Sequence, residues 1–319
     1  MKSRLFRSLL RSDAPPRLLT PAMGATASTR TPTLTFDSAA ACDVEVAQTL
    51  TGTPTATGVT GGEYTPSALA LSDASYFWRV RRQGGTWSSP RRFYVTPASV
   101  GTMFLWIQGL TGAYQDAAGT IPAAEAGDPI GRWMDRSGQG NHFLQSGDTA
   151  LKPRVVASAV NGLPAVKFDG VDDILTAAHA ASLNPNNLHL YIVLNIPSIG
   201  AGNFRVFSKS ASAYRIYRES GTLRANVADS SDVQISSPPT GAVIARLKYD
   251  KVGIKFKVTG KTEVTAARTA SISGTTALTM PDFGFAEWVY GVFGYSAELT
   301  TDEQTALQTY LTAMTGLAV

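Results

Sequence analysis

Hydrolysis of a glycosidic bond needs two carboxylates about 5 to 9 Å apart across the sugar. Residues two apart on a strand share a face, so a Glu-x-Asp-x-Glu run would align three acids for that work. Residues 102–319 contain no such run. Asp172 and Asp173 are adjacent and would face opposite sides of a strand, while Glu263, Glu287, Glu298 and Glu303 stand alone. The three histidines, His142, His179 and His189, lack the spacing of a metal-ligating pair. No nucleophile-elbow pattern is present, and no glycine-rich phosphate loop precedes a helix. The single cysteine, Cys42, cannot form an internal disulfide and is expected as a small buried hydrophobe. The chain is therefore expected to have no catalytic residues and no nucleotide or redox cofactor.

Polar turn residues gather in 129–175. Trp133 is followed by Asp135-Arg136-Ser137-Gly138-Gln139-Gly140-Asn141, rich in residues that tolerate positive φ or bond back to the local backbone. The stretch closes on Val166-Lys167-Phe168-Asp169-Gly170, alternating as a half-buried strand does. Around it, MFLWIQG, LHLYIVLNIP, FRVFSKS, YRIYRES, TLRANVA, DVQISS, ARLKYD, GIKFKVTG and FAEWVYGVFGYSAEL arrive as short strand-like runs separated by turns. Such a rhythm predicts a sandwich or jelly roll. Thr300 with Glu303 forms a capping box for a closing helix with Leu307, Tyr310 and Leu311 on its apolar stripe and Gly316 at its end.

Trp133, Asp135, Ser137, Gly138, Gly140 and Asn141, followed by Pro164, Phe168, Asp169, Gly170, Asp172 and Asp173, resemble the entry into concanavalin-A-like (laminin-G-like) jelly-roll domains. The closing run from Tyr295 through Leu299-Thr300 to Glu303 resembles the way those domains end, so the likeness spans most of 102–319. The family includes β-glucanases, whose aligned acids this chain lacks, and lectin-like modules. The resemblance implies a jelly roll that holds glycans, with Trp133, Asp135, Asn141, His142, Asp172 and Asp173 as candidate ligand-binding residues. It also makes calcium a candidate cofactor, with Asp135, Asp169 and Asp172 as the metal candidates and a turn-forming role as the favoured alternative for each. Trp106, Trp133, Tyr214, Tyr217 and Trp288 are the aromatics available to a sugar, most of them expected in the core.

In residues 31–97, Tyr76, Trp78 and Val80 should point one way, with Phe77, Arg79 and Arg81 opposite. Gly84-Gly85 turns the hairpin, and Trp87-Ser88 leads to a strand from Arg91 to Thr96. Tyr76-x-Trp78-Arg79-Val80, Trp87-Ser88 and Phe93-x-Val95 resemble a fibronectin type III domain, here short enough that a strand is expected to be trimmed. Arg79, Arg81, Arg82, Arg91 and Arg92 form a basic patch, either solvated or facing an acidic protein.

The expected organisation is an arm at 1–30, a fibronectin type III-like domain at 31–97, a linker at 98–101 and a jelly roll at 102–319. The fold class is all-β: a small sandwich, then a larger one with a short C-terminal helix. The arm carries six basic residues against Asp13, a balance of +5 in a chain of net +4, so the remainder sums to about −1. That distribution argues against a globular nucleic-acid-binding domain. No apolar run is long enough to span a membrane. Arm, small sandwich and jelly roll together resemble a phage virion component, a head decoration, head fibre or tail-associated protein. That resemblance implies docking to capsid or tail proteins through Arg4, Arg7, Arg11 and Arg17, display at the virion surface, homo-oligomers, and weak binding of host-surface glycans. A ligand-free assembly module is the competing expectation, and a carbohydrate-active enzyme the more distant one.

Overall fold

The computed structural model describes residues 14–23, 25–27, 31–47, 49–67, 75–95, 102–196, 202–210, 213–228, 232–281 and 284–318. The chain divides into two compact units, Met1–Ala98 with Glu303–Ala313, and Ser99–Asp302 with Met314–Val319.

The first unit is built from β1 (Arg17–Thr20), β2 (Ala25–Ala27), β3 (Leu34–Asp37), β4 (Cys42–Ala47), β5 (Ala56–Val59), β6 (Glu63–Tyr64), β7 (Ser75–Arg82) and β8 (Arg91–Val95). Two sheets result, β1-β3-β6 and β2-β8-β7-β4-β5. Alternation on β7 sends Tyr76, Trp78 and Val80 inward to meet Leu34, Phe36, Val44 and Phe93, and Cys42 is buried in the same core. Phe77, Arg79 and Arg81 lie half-buried on the opposite face.

Two expectations need correction here. Residues 17–27 are not part of an arm. They supply a strand to each sheet, β1 antiparallel to β3 and β2 parallel to β8. Arg17 therefore sits in a strand, opposite Asp37, while Arg4, Arg7 and Arg11 lie outside the described residues. The basic patch, too, is largely consumed within the unit. Arg79 pairs with buried Glu45 at 2.7 Å and Arg81 with buried Asp43 at 3.0 Å. Both guanidiniums stack on Trp87, 4.8 and 4.4 Å from its ring centre. Arg91 donates to the carbonyl of Leu19 at 2.8 Å.

In the second unit the strands are β9 (Met103–Gln108), β10 (Ala113–Tyr114), β11 (Arg132–Trp133), β12 (Phe143–Leu144), β13 (Arg154–Val160), β14 (Leu163–Lys167), β15 (Leu175–Ala177) and β16 (Leu188–Ile196). There follow β17 (Phe204–Ser208), β18 (Tyr214–Glu219), β19 (Thr222–Val227), β20 (Val233–Ile235), β21 (Gly241–Tyr249), β22 (Gly253–Val258), β23 (Val264–Ala267), β24 (Leu278–Met280) and β25 (Trp288–Tyr295). They make a nine-stranded sheet, β10-β11-β12-β15-β24-β17-β18-β19-β20, and an eight-stranded one, β13-β14-β25-β16-β21-β22-β23 with β9 also on β25. This is the all-β jelly-roll sandwich that the strand rhythm predicts.

The core lies between the two sheets. Leu190, Ile192, Leu194, Leu247 and Phe256 come from one, and Phe204, Phe207, Tyr214, Ile216 and Leu223 from the other. Strand β16 is central, between β25 and β21, and its second face is buried as well, through Tyr191 and Val193. That is why LHLYIVLNI lacks the polar alternation of a one-sided strand. The helix α1 (Thr301–Thr315) follows, with Leu307, Tyr310 and Leu311 buried as its stripe predicts and Gly316 at φ +73° after its end. Its residues 303–313 group with the first unit, although the expected boundaries set them in the second.

Candidate functional site

Asp135 is the centre of the Trp133–Asn141 turn, and its carboxylate is fully occupied. Oδ1 accepts from the N–H of Trp106 at 2.8 Å and of Ser137 at 2.9 Å. Oδ2 accepts from Ser137 Oγ at 2.8 Å and from the N–H of Asn141 at 2.9 Å. Asn141 in turn donates through Nδ2 to the Phe104 carbonyl at 2.6 Å and to Ser182 Oγ at 3.0 Å. The turn is thus sewn onto β9. Trp133 is wholly buried, Asp135 is 4% exposed and Asn141 3%. Their burial and bonding give these three a structural role in the turn, in place of the open contact positions expected of them. His142 is half-buried, and its Nδ1 accepts from the Asp135 N–H at 3.1 Å, which makes it a turn residue. Burial and then the nearby Arg132 lower its pKa, in keeping with a neutral acceptor ring.

Asp169, Asp172 and Asp173 come together elsewhere, with carboxylate oxygens within 4.8 Å of one another, and Asp135 is not among them. Much of that cluster serves its own turn. Asp169 Oδ1 accepts from the N–H groups of Val171, Asp172 and Asp173 at 2.8, 3.3 and 3.4 Å, and Asp173 Oδ2 accepts from the Asp169 N–H at 2.8 Å. Burial opposes ionisation of Asp169, but these backbone donors outweigh it and lower its pKa. Asp173, half-buried beside two other acids, is pushed up to about 6, chiefly by desolvation.

Most of the sequence-named residues therefore serve the core or turns, and Asp172 is exposed. The polar face that could meet a ligand lies on the nine-stranded sheet. Register aligns Tyr114, Arg132, Leu144, Thr176, Thr279, Ser208, Arg215 and Asn226 across successive strands, with Arg205, Tyr217, Arg224 and Gln234 in the neighbouring row. A bulge decides who joins this face. Arg205 and Ser208 are three apart, so regular alternation would put them on opposite sides. The irregularity between Arg205 and Phe207 sends Val206 and Phe207 both into the core and leaves Arg205 and Ser208 on the same outer face.

Here Arg205, Ser208, Ser210, Arg215, Thr276 and Thr279 line an open depression of about 350 Å³. Its lining includes no carboxylate. Arg215 lies over Tyr217, 4.6 Å from its ring centre. The Tyr217 hydroxyl donates to Asp232, which also accepts from Asn226 Nδ2 at 3.2 Å and from Arg224 at 3.3 Å. Arg224 pairs further with Glu219 at 2.9 Å. Burial, and then the Asp232 carboxylate, push the Tyr217 phenol up to about 12. At one end of the depression Lys209 is buried, its Nζ donating to the carbonyls of Gly274 at 3.0 Å and Thr276 at 3.1 Å and lying 3.2 Å from His179 Nδ1.

Of the aromatics singled out for a sugar, Trp106, Trp133, Tyr214 and Trp288 are buried away from this surface and Tyr217 alone belongs to it. Arg205 and Arg215 were missed, because only the bulge brings them together. FRVFSKS, in which the apolar Val206 and Phe207 are adjacent, was the available sign that the alternation slips there.

Fold and face together define an all-β sandwich protein whose larger unit presents a polar, arginine-bearing sheet surface. No protein-family model matches the chain, and no curated protein matches it. Among solved structures it is similar to the binding domain of botulinum neurotoxin DC in complex with SialylT, at 12% identity and a TM-score of 0.43, covering 66% of this chain and 51% of that one. It is also similar to a Trypanosoma rangeli sialidase, at 10% identity and TM-score 0.45 over 67% of this chain and 33% of that one. A GH54 α-L-arabinofuranosidase is similar at 14% identity and TM-score 0.48 over 69% and 65%. The chain thus spans about half the length of the neurotoxin domain it matches.

Proposed function

We propose that this chain is a non-enzymatic glycan-binding protein that works as a phage virion structural component, a head decoration, head fibre or tail-associated protein at the virion surface. The jelly roll holds a host-surface glycan, and the N-terminal region docks to capsid or tail proteins. The observation that carries the glycan reading is the depression on the nine-stranded sheet, where four hydroxyl side chains and two guanidiniums line an open hollow. A lining without carboxylates supports binding over hydrolysis, since neither an acid nor a base is present to work on a glycosidic bond. Sheet order in the first unit supports a fibronectin type III-like module: β1-β3-β6 faces β8-β7-β4-β5, with β2 added at the edge beside β8.

Weak single sites become useful when many copies act together, as repeated display on a particle allows. That is the reason for joining the glycan and virion readings, along with homo-oligomer formation. The test has two arms. A glycan array probed with the purified chain should give specific binding, and a reducing-sugar release assay on the bound glycans should give none. Sugar release would make the protein an enzyme, and a blank array would leave a ligand-free assembly module. Particles lacking the protein should capture the full chain and lose that capture when residues 1–13, which hold Lys2, Arg4, Arg7 and Arg11, are removed. Failure of the full chain to bind the particles would overturn the virion assignment.

A further inference from the structure

We propose that the depression between Arg205 and Arg215 recognises an acidic saccharide, taking the carboxylate or sulfate of one sugar residue on its guanidiniums and the sugar's hydroxyls on its serines and threonines. This inference rests on the glycan reading above and narrows it to a ligand class.

The two arginines are diagonal neighbours across β17 and β18, since Ser208 stands opposite Arg215 and Arg205 opposite Tyr217. Diagonal partners on one sheet face are within reach of each other's long side chains. Arg215 is held in advance. Its guanidinium rests on the Tyr217 ring, so the planar fork loses little freedom when it meets an oxyanion. The Tyr217 ring is fixed in turn by its hydroxyl's bond to Asp232.

Two parallel N–H···O bonds between a guanidinium and a carboxylate or sulfate are the arrangement that makes arginine the preferred partner for planar anions. A neutral sugar hydroxyl offers no such pair of acceptors.

The local charge balance points the same way. Among the described residues, Asp232 and Glu219 on this part of the sheet are engaged by Arg224, Asn226 and Tyr217. Lys209, fully buried beside the depression, is met by two carbonyls and an imidazole, none of which cancels its charge. Its bonds to Gly274 and Thr276 hold the loop that forms one wall. The lining of the hollow thus carries two arginines and no carboxylate, in a chain whose residues beyond the first thirty sum to about −1.

The hydroxyls suit a sugar in a specific sense. Thr279 Oγ1 donates to the Ser208 carbonyl at 3.0 Å, and Thr276 Oγ1 donates to the Lys209 carbonyl at 2.9 Å. With their protons committed inward, both oxygens face the depression as acceptors for sugar O–H groups. A volume of about 350 Å³ is at the small end for ligand sites, enough for one sugar residue with its chain leaving through the open side.

The test uses the full chain on an array of neutral and acidic glycans, followed by titration with lactose, sialyllactose and lactose sulfate. These probes separate carboxylate from sulfate on a common neutral core. At least one acidic member should bind about tenfold more tightly than lactose, equivalent to one bidentate pair. Raising the salt should weaken the acidic ligands and leave lactose unchanged. Arg215→Ala should abolish the preference, and Arg215→Lys, which keeps the charge and loses the fork, should restore only part of it. Unchanged thermal midpoints would show that both variants are folded. Binding of neutral glycans with no acidic preference, or a preference that survives Arg215→Ala, would overturn this inference and leave glycan binding standing. A blank array would remove both.

Discussion

The carboxylate of Asp135 holds the backbone N–H of Trp106 at 2.8 Å, joining the Trp133–Asn141 turn to strand β9 across 29 residues of sequence. Three further donors from Ser137 and Asn141 complete its shell. A carboxylate in this position fixes where the turn leaves the sheet. Aspartate is required because each oxygen accepts twice and neither donates. Asp135→Asn replaces one oxygen by an NH₂ that would face donors. The expected loss is about 2 to 4 kcal/mol of unfolding free energy, as for other buried, fully satisfied charge-assisted networks. Urea unfolding measures it. A midpoint unchanged from the parent would show that the turn is not a structural staple.

The Asp169 turn carries a second stability prediction. Gly170 has φ +81°, and a Cβ there would come within 2.6 Å of the Ala286 Cβ. Gly170→Ala therefore combines backbone strain with a clash, and should destabilise by more than about 1 kcal/mol. Because Asp169 Oδ1 already accepts three backbone N–H groups, the turn is closed by its own hydrogen bonds. The thermal midpoint is expected to be the same in EDTA and in millimolar calcium. A rise of several degrees with calcium would instead make Asp169, Asp172 and Asp173 a metal site.

Much of the fold was legible in the sequence because burial periodicity is a local property. Tyr76, Trp78 and Val80 face inward as their spacing predicts, and Leu307, Tyr310 and Leu311 line the helix stripe. The Trp133–Asn141 motif was legible as a turn, but its polar residues looked like ligand contacts. An aspartate bonded to four donors and an aspartate waiting for a sugar have the same letter. The candidate site was invisible for a different reason. Arg205, Arg215 and Thr279 meet only through the pairing of Ser208 with Thr279, 71 residues apart, and through a one-residue bulge. Residues 17–27 were misassigned to an arm because the neighbouring prolines and arginines disguise two short strands whose partners lie further along the chain.

Stability against pH should show two opposing contributions. His189 on β16 is 1% exposed, and burial, then Lys248 and Arg246, hold its pKa down to about 4. The unfolded chain takes that proton near 6.5, so the folded state loses stability as pH falls from about 6.5 to 4, by on the order of 3 kcal/mol at most. Asp173 acts oppositely. Its folded pKa of about 6 exceeds the unfolded value, so its protonation favours the folded state as pH falls from about 6 towards 3.8. Denaturant unfolding of the parent chain between pH 4 and 7 should therefore vary less than either group alone dictates. His189→Gln should leave the Asp173 contribution exposed, so that variant becomes relatively more stable on acidification. Asp173→Asn should steepen the loss. Parallel curves for all three proteins would contradict both assignments.

Truncation separates the N-terminal residues from the sandwich they precede. Strand β1 covers the edge of β3, with Leu18 buried in the first core, and β2 covers the edge of β8. Arg91 reaches back to the Leu19 carbonyl at 2.8 Å. Removing residues 1–30 deletes both edge strands, uncovers backbone donors and acceptors on two sheets, and exposes the apolar surface that Leu18 covers. Edges left open in this way pair with other chains. The 1–30 deletion should therefore lower the unfolding midpoint and raise light scattering, whereas removal of residues 1–13 should change neither. Any docking role of Arg4, Arg7 and Arg11 is then measurable only with the shorter deletion, because the longer one damages the first unit itself. Equal midpoints for the two deletions would mean that β1 and β2 contribute nothing to the sandwich, and would return residues 17–27 to the arm.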